Sequence, residues 1–329
     1  MVPRLDLTRG VRYARRRLGC IPTMKPRTFA LVPLLAAGLV TAAAAQKVFR
    51  SGIELVHFGV TVLDRKGNFI KGLTPADFEI LEKGRPQRLQ YFSAGEDAAD
   101  APPLHLGLLF DTSGSMTDDV KFSRSAAIKF LNAASRASDV TLVDFDTEVR
   151  VARYGPDDFP RLVERIRSRA PDGMTALYDA TGVYLNGASE QDGLKVLVLY
   201  TDGGDTSSSM SFSDCLSLLR MSDATLYAIG VLQHQSSTVR TSQELYLRQM
   251  AATAGGEAFF PVGLEQLDKV YERILEEMAA RYVLGYVSDD QRTDGAWRDI
   301  EIRLTRPDLK GAKVRARAGY YGPYKDPSR

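Results

Sequence analysis

The sequence is poor in cysteine and histidine. Its 329 residues include two cysteines and three histidines. Cys20 lies in a basic N-terminal stretch, so a processed chain would keep only Cys215 and could form no internal disulfide. His57, His105 and His234 show no metal-ligand spacing. These shortages exclude a disulfide-stapled scaffold and disfavour a Cys/His zinc site, so the fold depends on its hydrophobic core. Cys215 lies in a helical pattern that predicts a small buried hydrophobic side chain.

The sequence also lacks the short motifs of two large enzyme classes. It contains no Gly-x-Ser-x-Gly nucleophile elbow, which disfavours a hydrolase of that type. It contains no Gly-x4-Gly-Lys loop, which disfavours a P-loop nucleotidase.

Positive charge is scarce outside the N terminus. The formal net charge is +2, but residues 1–45 alone carry +7, which leaves −5 on residues 46–329. A mildly acidic body has no long-range attraction for polyphosphate. The charge distribution therefore disfavours nucleic acid as a partner.

The basic N terminus is typical of a targeting segment. Within residues 1–45, the charge-free run from Phe29 to Ala45 has seventeen residues and ends in small side chains. This pattern predicts a secretory signal cleaved after Ala45, and hence a secreted or periplasmic protein. The run is short for a hydrocarbon core of about 30 Å, so we expect no stable membrane span after cleavage. A retained anchor, a twin-arginine signal and a true start at Met24 stay open as alternatives.

Strand patterns and a linker follow the signal segment. From about Val48 to Phe92 apolar residues alternate with polar ones, between turn clusters at 64–68 and 83–86. The stretch 94–103 is polar and ends in two prolines, which is typical of a linker. We therefore divide the chain into a targeting segment (1–45), an N-terminal β module with linker (46–100), a central domain (101–280) and a C-terminal β segment (281–329).

The central region alternates buried strand patterns with helical patterns. Unbroken apolar runs such as 104–110 and 196–200 are separated by amphipathic stretches such as 264–278. Strands covered on both faces predict an α/β fold with a doubly wound, mostly parallel sheet. Such sheets bind ligands beyond the carboxyl ends of their strands, where Asp111 and Asp202 lie.

The flanking segments each hold too few strands for a fold of their own. The C-terminal segment has strand patterns at 282–287, 297–304 and 313–318, and the N-terminal module has three or four. Small sandwiches need about seven strands. We therefore expect both flanking segments to pair into one β-sandwich, with the central domain inserted between them.

Three predicted loops at the ligand-binding edge carry oxygen-bearing side chains. The first contains Asp111, Ser113 and Ser115, the second contains Thr175, and the third begins at Asp202. Two serines separated by one residue in a tight turn can direct both hydroxyls to one point. Such oxygens suit Mg²⁺, Mn²⁺ or Ca²⁺ and are poor ligands for Zn²⁺ or Cu²⁺.

This arrangement resembles the metal-ion-dependent adhesion site of the von Willebrand factor A family. The family's Asp-x-Ser-x-Ser positions are filled by Asp111, Ser113 and Ser115, its threonine by Thr175 and its third-loop aspartate by Asp202. The flanks resemble secreted members of this family found in Acidobacteria. That resemblance rests on Ala76-Asp77-Phe78, Glu82-Lys83-Gly84, Tyr282-Val283-Leu284-Gly285-Tyr286 and the stretch from Val314 to Tyr321.

The resemblance implies roles for these residues. Ser113 and Ser115 would bind the cation directly, Asp111 and Asp202 would act mainly through water, and Thr175 would alternate between the two modes. Magnesium is the most expected cation, with Mn²⁺ or Ca²⁺ as alternatives. Neutral direct ligands leave the cation able to accept an Asp or Glu carboxylate from a protein partner. The implied function is adhesion or protein binding without catalysis.

Simpler explanations exist for the same residues. Ser113, Ser115 and Thr175 could each cap a helix. Asp144 and Asp146 could form a second cation site, although Asp146 fits better as a turn residue.

Two rival functions also stay open at this point. Asp111 could be the nucleophile of a Mg²⁺-dependent phosphatase-like hydrolase, but the acid–base carboxylate expected two residues later is replaced by Ser113. The domain could also be a scaffold that binds no metal.

Overall fold

A computed structural model of the chain describes residues 55–95, 102–134 and 136–325. The predicted signal, with its cleavage after Ala45, lies outside the described residues. The strands are β1 (Leu55–Leu63), β2 (Phe78–Glu82), β3 (Arg85–Gln87), β4 (Leu89–Ala94), β5 (Leu104–Asp111), β6 (Asp139–Phe145), β7 (Val149–Tyr154), β8 (Leu194–Thr201), β9 (Thr225–Gly230), β10 (Glu257–Phe259), β11 (Tyr282–Val287), β12 (Trp297–Leu304), β13 (Lys313–Arg315) and β14 (Gly319–Tyr321). The helices are α1 (Val120–Ala133), α2 (Phe159–Ser168), α3 (Leu177–Ala188), α4 (Phe212–Met221), α5 (Ser237–Thr253) and α6 (Leu264–Ala280).

The central domain is a six-stranded sheet with helices on both faces. The strand order is β10-β9-β8-β5-β6-β7, and every pairing is parallel except that of the edge strand β7 with β6. One face packs against α1, α2 and α6, and the other against α3, α4 and α5. The inner strands β5 and β8 are buried along nearly their whole length and are mostly apolar, because helices cover both faces of the sheet. The predicted α/β fold class is confirmed.

Helix α3 packs directly over Gly107 of the central strand β5. A Cβ atom at this glycine would lie 2.2 Å from the ring of Tyr184 and 2.7 Å from Leu197. We expect Gly107→Ala to lower the free energy of unfolding by about 1–3 kcal/mol, as measured by urea denaturation, because the added methyl overpacks the core.

Gly187 is the matched control for this substitution. It is exposed near the end of α3, and a Cβ there would meet nothing within 4 Å. Gly187→Ala should therefore raise stability by up to about 1 kcal/mol through helix propensity. Wild-type stability in Gly107→Ala would contradict the packing described here.

The flanking segments form one β-sandwich, as expected from their strand counts. One sheet has the order β13-β1-β11-β4 and the other β14-β12-β2-β3, so each combines strands from both ends of the chain. β1 pairs with β11 in antiparallel register over six residues, and β12 pairs with β2 over five. Apolar side chains from both sheets share a core that includes Phe58, Ile80 and Leu284.

Three elements differ from the sequence prediction. The apolar pattern over 243–252 predicts a helix, but α5 begins six residues earlier, at Ser237, because its first turns are solvent-exposed and carry no apolar periodicity. The apolar stretch 258–262 predicts a strand, but β10 is only Glu257–Phe259, and Val262 is exposed beyond its end. The strand predicted over 313–318 ends at Arg315.

The seam between the central domain and the sandwich contains a buried ion pair. Glu277 of α6 is fully buried and forms an ion pair with Arg315 of β13. The hydroxyl of Thr61 in β1 donates to the other carboxylate oxygen of Glu277 at 2.9 Å. Arg315 also pairs with Glu257 at 2.7 Å. The two parts of the fold therefore share a charged contact that water does not reach.

Two further expectations can be compared with the structure. Cys215 is completely buried in α4, and burial raises the pKa of its thiol to about 12, so it behaves as a hydrophobic side chain. Among the described residues no helix is both long and apolar enough to cross a bilayer.

Candidate functional site

The first and third predicted loops leave neighbouring strands at the same edge of the sheet. Asp111 is the last residue of β5, and Asp202 directly follows β8. The strands are paired in parallel up to Phe110 and Tyr200, so both loops emerge side by side. This is the carboxyl-terminal edge, where parallel sheets bind their ligands.

The first loop is a tight turn organised by the Asp111 carboxylate. The backbone N–H of Ser113 donates to Asp111 Oδ1 at 2.9 Å, and residues 114–116 form a short 3₁₀ turn. The hydroxyls of Ser113 and Ser115 lie 3.1 Å apart, with Ser113 buried and Ser115 exposed. Ser113 occupies the cap position of the 3₁₀ turn but makes no side-chain capping bond. Its hydroxyl is therefore not explained by capping.

Backbone hydrogen bonds join the second loop to the other two. The N–H of Gly114 donates to the carbonyl of Gly173 at 3.0 Å, which ties the second loop to the first. The N–H of Thr206 donates to the carbonyl of Thr175 at 2.8 Å, and the Thr206 hydroxyl accepts from the N–H of Thr175. Thr175 is thus held between the first and third loops, and its side chain is buried. Helix α3 is preceded at its cap position by Ala176, so Thr175 is not its cap.

Two carboxylates at this edge are buried close enough to repel each other. Asp111 has no exposed surface and Asp202 is nearly buried. Burial, followed by the charge of Asp202, raises the pKa of Asp111 to about 7. Neither carboxylate forms an ion pair with a cationic side chain of the described residues. Two ionised carboxylates buried together are unfavourable unless a proton or a cation compensates one of the charges.

The donor set matches a hard divalent cation. Ser113, Ser115 and Thr175 offer neutral hydroxyl oxygens, and Asp111 and Asp202 offer carboxylate oxygens. In the described part of the chain, no three His, Cys, Asp or Glu side chains come together as a metal-binding cluster. Among the side chains at this edge, the three hydroxyls are the oxygens that would add to the two carboxylates as ligands of a cation.

Two supporting residues were not predicted from the sequence. The Thr201 hydroxyl donates to Asp111 Oδ2 at 2.6 Å and accepts from the N–H of Gly203 at 3.0 Å. The Gln235 amide donates to Asp202 Oδ2 at 3.0 Å. These bonds orient the carboxylates, as outer partners of metal ligands do. The only feature of the sequence that pointed to Thr201 was its position next to Asp202. No feature of the sequence pointed to Gln235.

The alternative of a second cation site at Asp144 and Asp146 is wrong. The Asp144 carboxylate is buried and accepts hydrogen bonds from Arg150 and Arg165, with Arg169 at 3.2 Å. Asp146 accepts from the N–H of Glu148 at 2.9 Å, which is the turn role preferred from the sequence. Arginines already neutralise both carboxylates.

The geometry of Asp111 also bears on the phosphatase alternative. Its carboxylate has no exposed surface, and both oxygens accept hydrogen bonds, one from Ser113 and one from Thr201. A carboxylate nucleophile needs a free oxygen that can reach a substrate. Asp111 is placed to organise the loop instead.

Comparisons with known proteins identify the central domain. The family model of the von Willebrand factor type A domain matches residues 105–273, which is just over half of the chain. No curated protein matches the sequence.

Several solved structures are similar at low sequence identity. A mutant of the PilB minor pilin from Streptococcus sanguinis is 15% identical, with 56% of this chain and 63% of that chain covered and a TM-score of 0.45. The vWF domain of a type V pili tip protein from Porphyromonas gingivalis is 12% identical, with 60% and 100% covered and a TM-score of 0.45. A von Willebrand factor type A protein from Catenulispora acidiphila is 11% identical, with 84% and 74% covered and a TM-score of 0.44. The match spans less than two thirds of the chain of that PilB mutant.

Proposed function

Because this chain belongs to the von Willebrand factor type A family, we propose that it is an exported protein-binding module. Its site would hold a divalent cation, with Mg²⁺ most expected and Mn²⁺ or Ca²⁺ as alternatives. A protein partner would complete the coordination with an Asp or Glu carboxylate. The proposal includes no catalytic step.

One observation carries this proposal. Asp111 and Asp202 are buried close together, with no basic partner in the part of the chain that the structure describes. They lie beside the hydroxyls of Ser113 and Ser115, in loops joined by hydrogen bonds. A bound cation would offset the repulsion between the two carboxylates. Ser113, Ser115 and Thr175 would be its protein ligands, with Asp111 and Asp202 behind them.

The chemistry of the partner follows from the ligand set. Hydroxyl ligands are neutral, so the cation would keep positive charge that an acidic side chain can satisfy. Ser115 is exposed, which leaves that side of the site accessible to a partner. Met174, beside Thr175, is 53% exposed and offers an apolar contact next to the charged one.

The test is capture of a partner from periplasm or culture medium by the immobilised protein. Capture should fall at least about ten-fold when EDTA is added and return with excess Mg²⁺ or Mn²⁺. A peptide containing one glutamate should compete with the captured protein, and its glutamine counterpart should not. Capture that is insensitive to EDTA would contradict the proposal.

An isosteric variant provides the matched comparison. Asp202→Asn keeps the shape that accepts from Gln235 but removes the charge, so it should capture about as little partner as the EDTA-treated wild type. Asp157→Asn changes an exposed carboxylate ahead of α2 and should capture normally. Equal capture by the two variants would contradict the proposal.

A further inference from the structure

A cavity lies at the opposite edge of the central sheet from the candidate metal site. Its volume is about 390 Å³, at the small end of the range for small-molecule pockets of about 300–1,000 Å³. It is bordered by the first residues of β5 and β8, by the end of α6, and by β4 and β11 of the sandwich. The cavity is therefore built by both parts of the fold.

The cavity contains a buried arginine without a partner. Arg281 lines it and is only 5% exposed. Its guanidinium forms no hydrogen bond or ion pair with any residue in the described ranges, and its Nε is fully enclosed. Glu277, four residues earlier in α6, is already bound to Arg315 and Thr61. An unpaired buried charge is costly, so an anion is expected to compensate it.

A second polar group in the same cavity also lacks a partner. Ser93 near the end of β4 lines the cavity and is nearly buried, and its hydroxyl makes no hydrogen bond with any residue that the structure describes. The rest of the wall is largely apolar and includes Leu104, Val196, Met278 and Val283. The lining also includes Arg136 and Ser138, which are both exposed. The cavity thus combines the buried guanidinium of Arg281 and the buried hydroxyl of Ser93 with a largely apolar surface.

A glycine next to Arg281 leaves space for the arginine side chain. A Cβ atom at Gly59 in β1 would lie 3.1–3.2 Å from the Nε, Cδ and Cζ atoms of Arg281. Contacts this short would force the guanidinium to shift. Gly59 therefore leaves space for Arg281 to pack at the seam rather than extend into solvent.

We propose that this cavity binds a small organic carboxylate with an apolar body. The planar guanidinium matches a carboxylate through two parallel hydrogen bonds, and the Ser93 hydroxyl can donate a third. A single negative charge would balance the buried guanidinium of Arg281. The apolar wall would contact the apolar body of the ligand.

The test uses octanoate and its neutral counterpart octanamide as probes of the full chain. Isothermal titration calorimetry is carried out in EDTA, so that no cation at the opposite edge can bind the carboxylate. Octanoate should bind and octanamide should bind at least about ten-fold more weakly, because only the carboxylate pairs with Arg281. Equal binding of the two probes would overturn the proposal.

Variants separate this site from others on the chain. Arg281→Met should lose octanoate binding by about ten-fold or more without a lower melting temperature, because it removes an unpaired buried charge. Arg303→Met, which changes an exposed arginine on β12, should bind octanoate normally. Normal binding by Arg281→Met would overturn the proposal.

The chain's own acidic residues are a competing source of carboxylate. Residues 96–101 include Glu96, Asp97 and Asp100 and lie outside the described residues. A chain with Glu96→Gln, Asp97→Asn and Asp100→Asn should bind octanoate as wild type does. Binding at least about ten-fold tighter in this variant would mean that the chain supplies the anion itself, and would overturn the assignment to an external ligand.

Discussion

Replacing Ser113 and Ser115 together by alanine is expected to weaken Mn²⁺ binding by on the order of 100-fold or more. Changes to residues that only support metal ligands already cost about 10–100-fold in affinity, and here two proposed direct ligands are removed. Isothermal titration calorimetry with Mn²⁺ and with Mg²⁺ measures the effect. The fold should persist, because neither hydroxyl caps a helix and their contacts lie within the loop, with each other and, for Ser113, with the Asp111 carboxylate.

The chain offers a closely matched control for this double variant. Ser211 and Ser213 are also separated by one residue, and their hydroxyls lie 2.9 Å apart at the start of α4. Replacing both by alanine should lower stability by about 1 kcal/mol, because Ser211 caps α4, but should leave Mn²⁺ affinity unchanged. If both double variants bind Mn²⁺ equally well, or if the wild type binds none, the proposed ligand set is wrong.

Glu277→Ala is expected to lower the free energy of unfolding by about 3 kcal/mol. Removing one partner of a buried ion pair costs about 3–5 kcal/mol because the other charge remains buried. The expected loss is at the lower end of this range because Arg315 keeps its contact with Glu257. Thr61 loses its hydrogen-bond acceptor, which adds to the loss. Urea denaturation of the wild type and of Glu277→Ala measures the difference in the free energy of unfolding.

The neighbouring residue on the same helix tests whether burial is the cause. Glu276 is 57% exposed and forms an ion pair with Lys71 at 3.8 Å, whereas Glu277 has no exposed surface. Glu276→Ala should change stability by less than about 1 kcal/mol, as exposed pairs do. A loss below 1 kcal/mol for Glu277→Ala as well would show that the seam does not depend on this charge.

Much of the candidate site could be predicted because its residues are set by local chain order. Asp111 and Asp202 follow apolar strands, and parallel strands that neighbour each other bring their following loops to one edge. The spacing of Ser113 and Ser115 was likewise readable from the sequence. Whether these residues bind a metal stays a prediction.

The supporting contacts could not be predicted in the same way. Gln235 reaches Asp202 from a separate loop after β9, and its position depends on how that loop packs. The sequence also offers Asp144 as a less favoured cation ligand, but the fold brings Arg150, Arg165 and Arg169 around it. A carboxylate in a sequence does not reveal whether arginines or a metal will neutralise it.

By itself, the sequence determined the α/β class, the edge of the sheet where a ligand would bind, and the pairing of the flanking strands into one sandwich. These features follow from hydrophobic periodicity and strand order, which are properties of short stretches and their succession. Only the tertiary structure decided which charges are paired. Glu277 meets Arg315 across the seam, and Arg281 meets no partner among the described residues, because burial and proximity arise from packing between elements far apart in the chain.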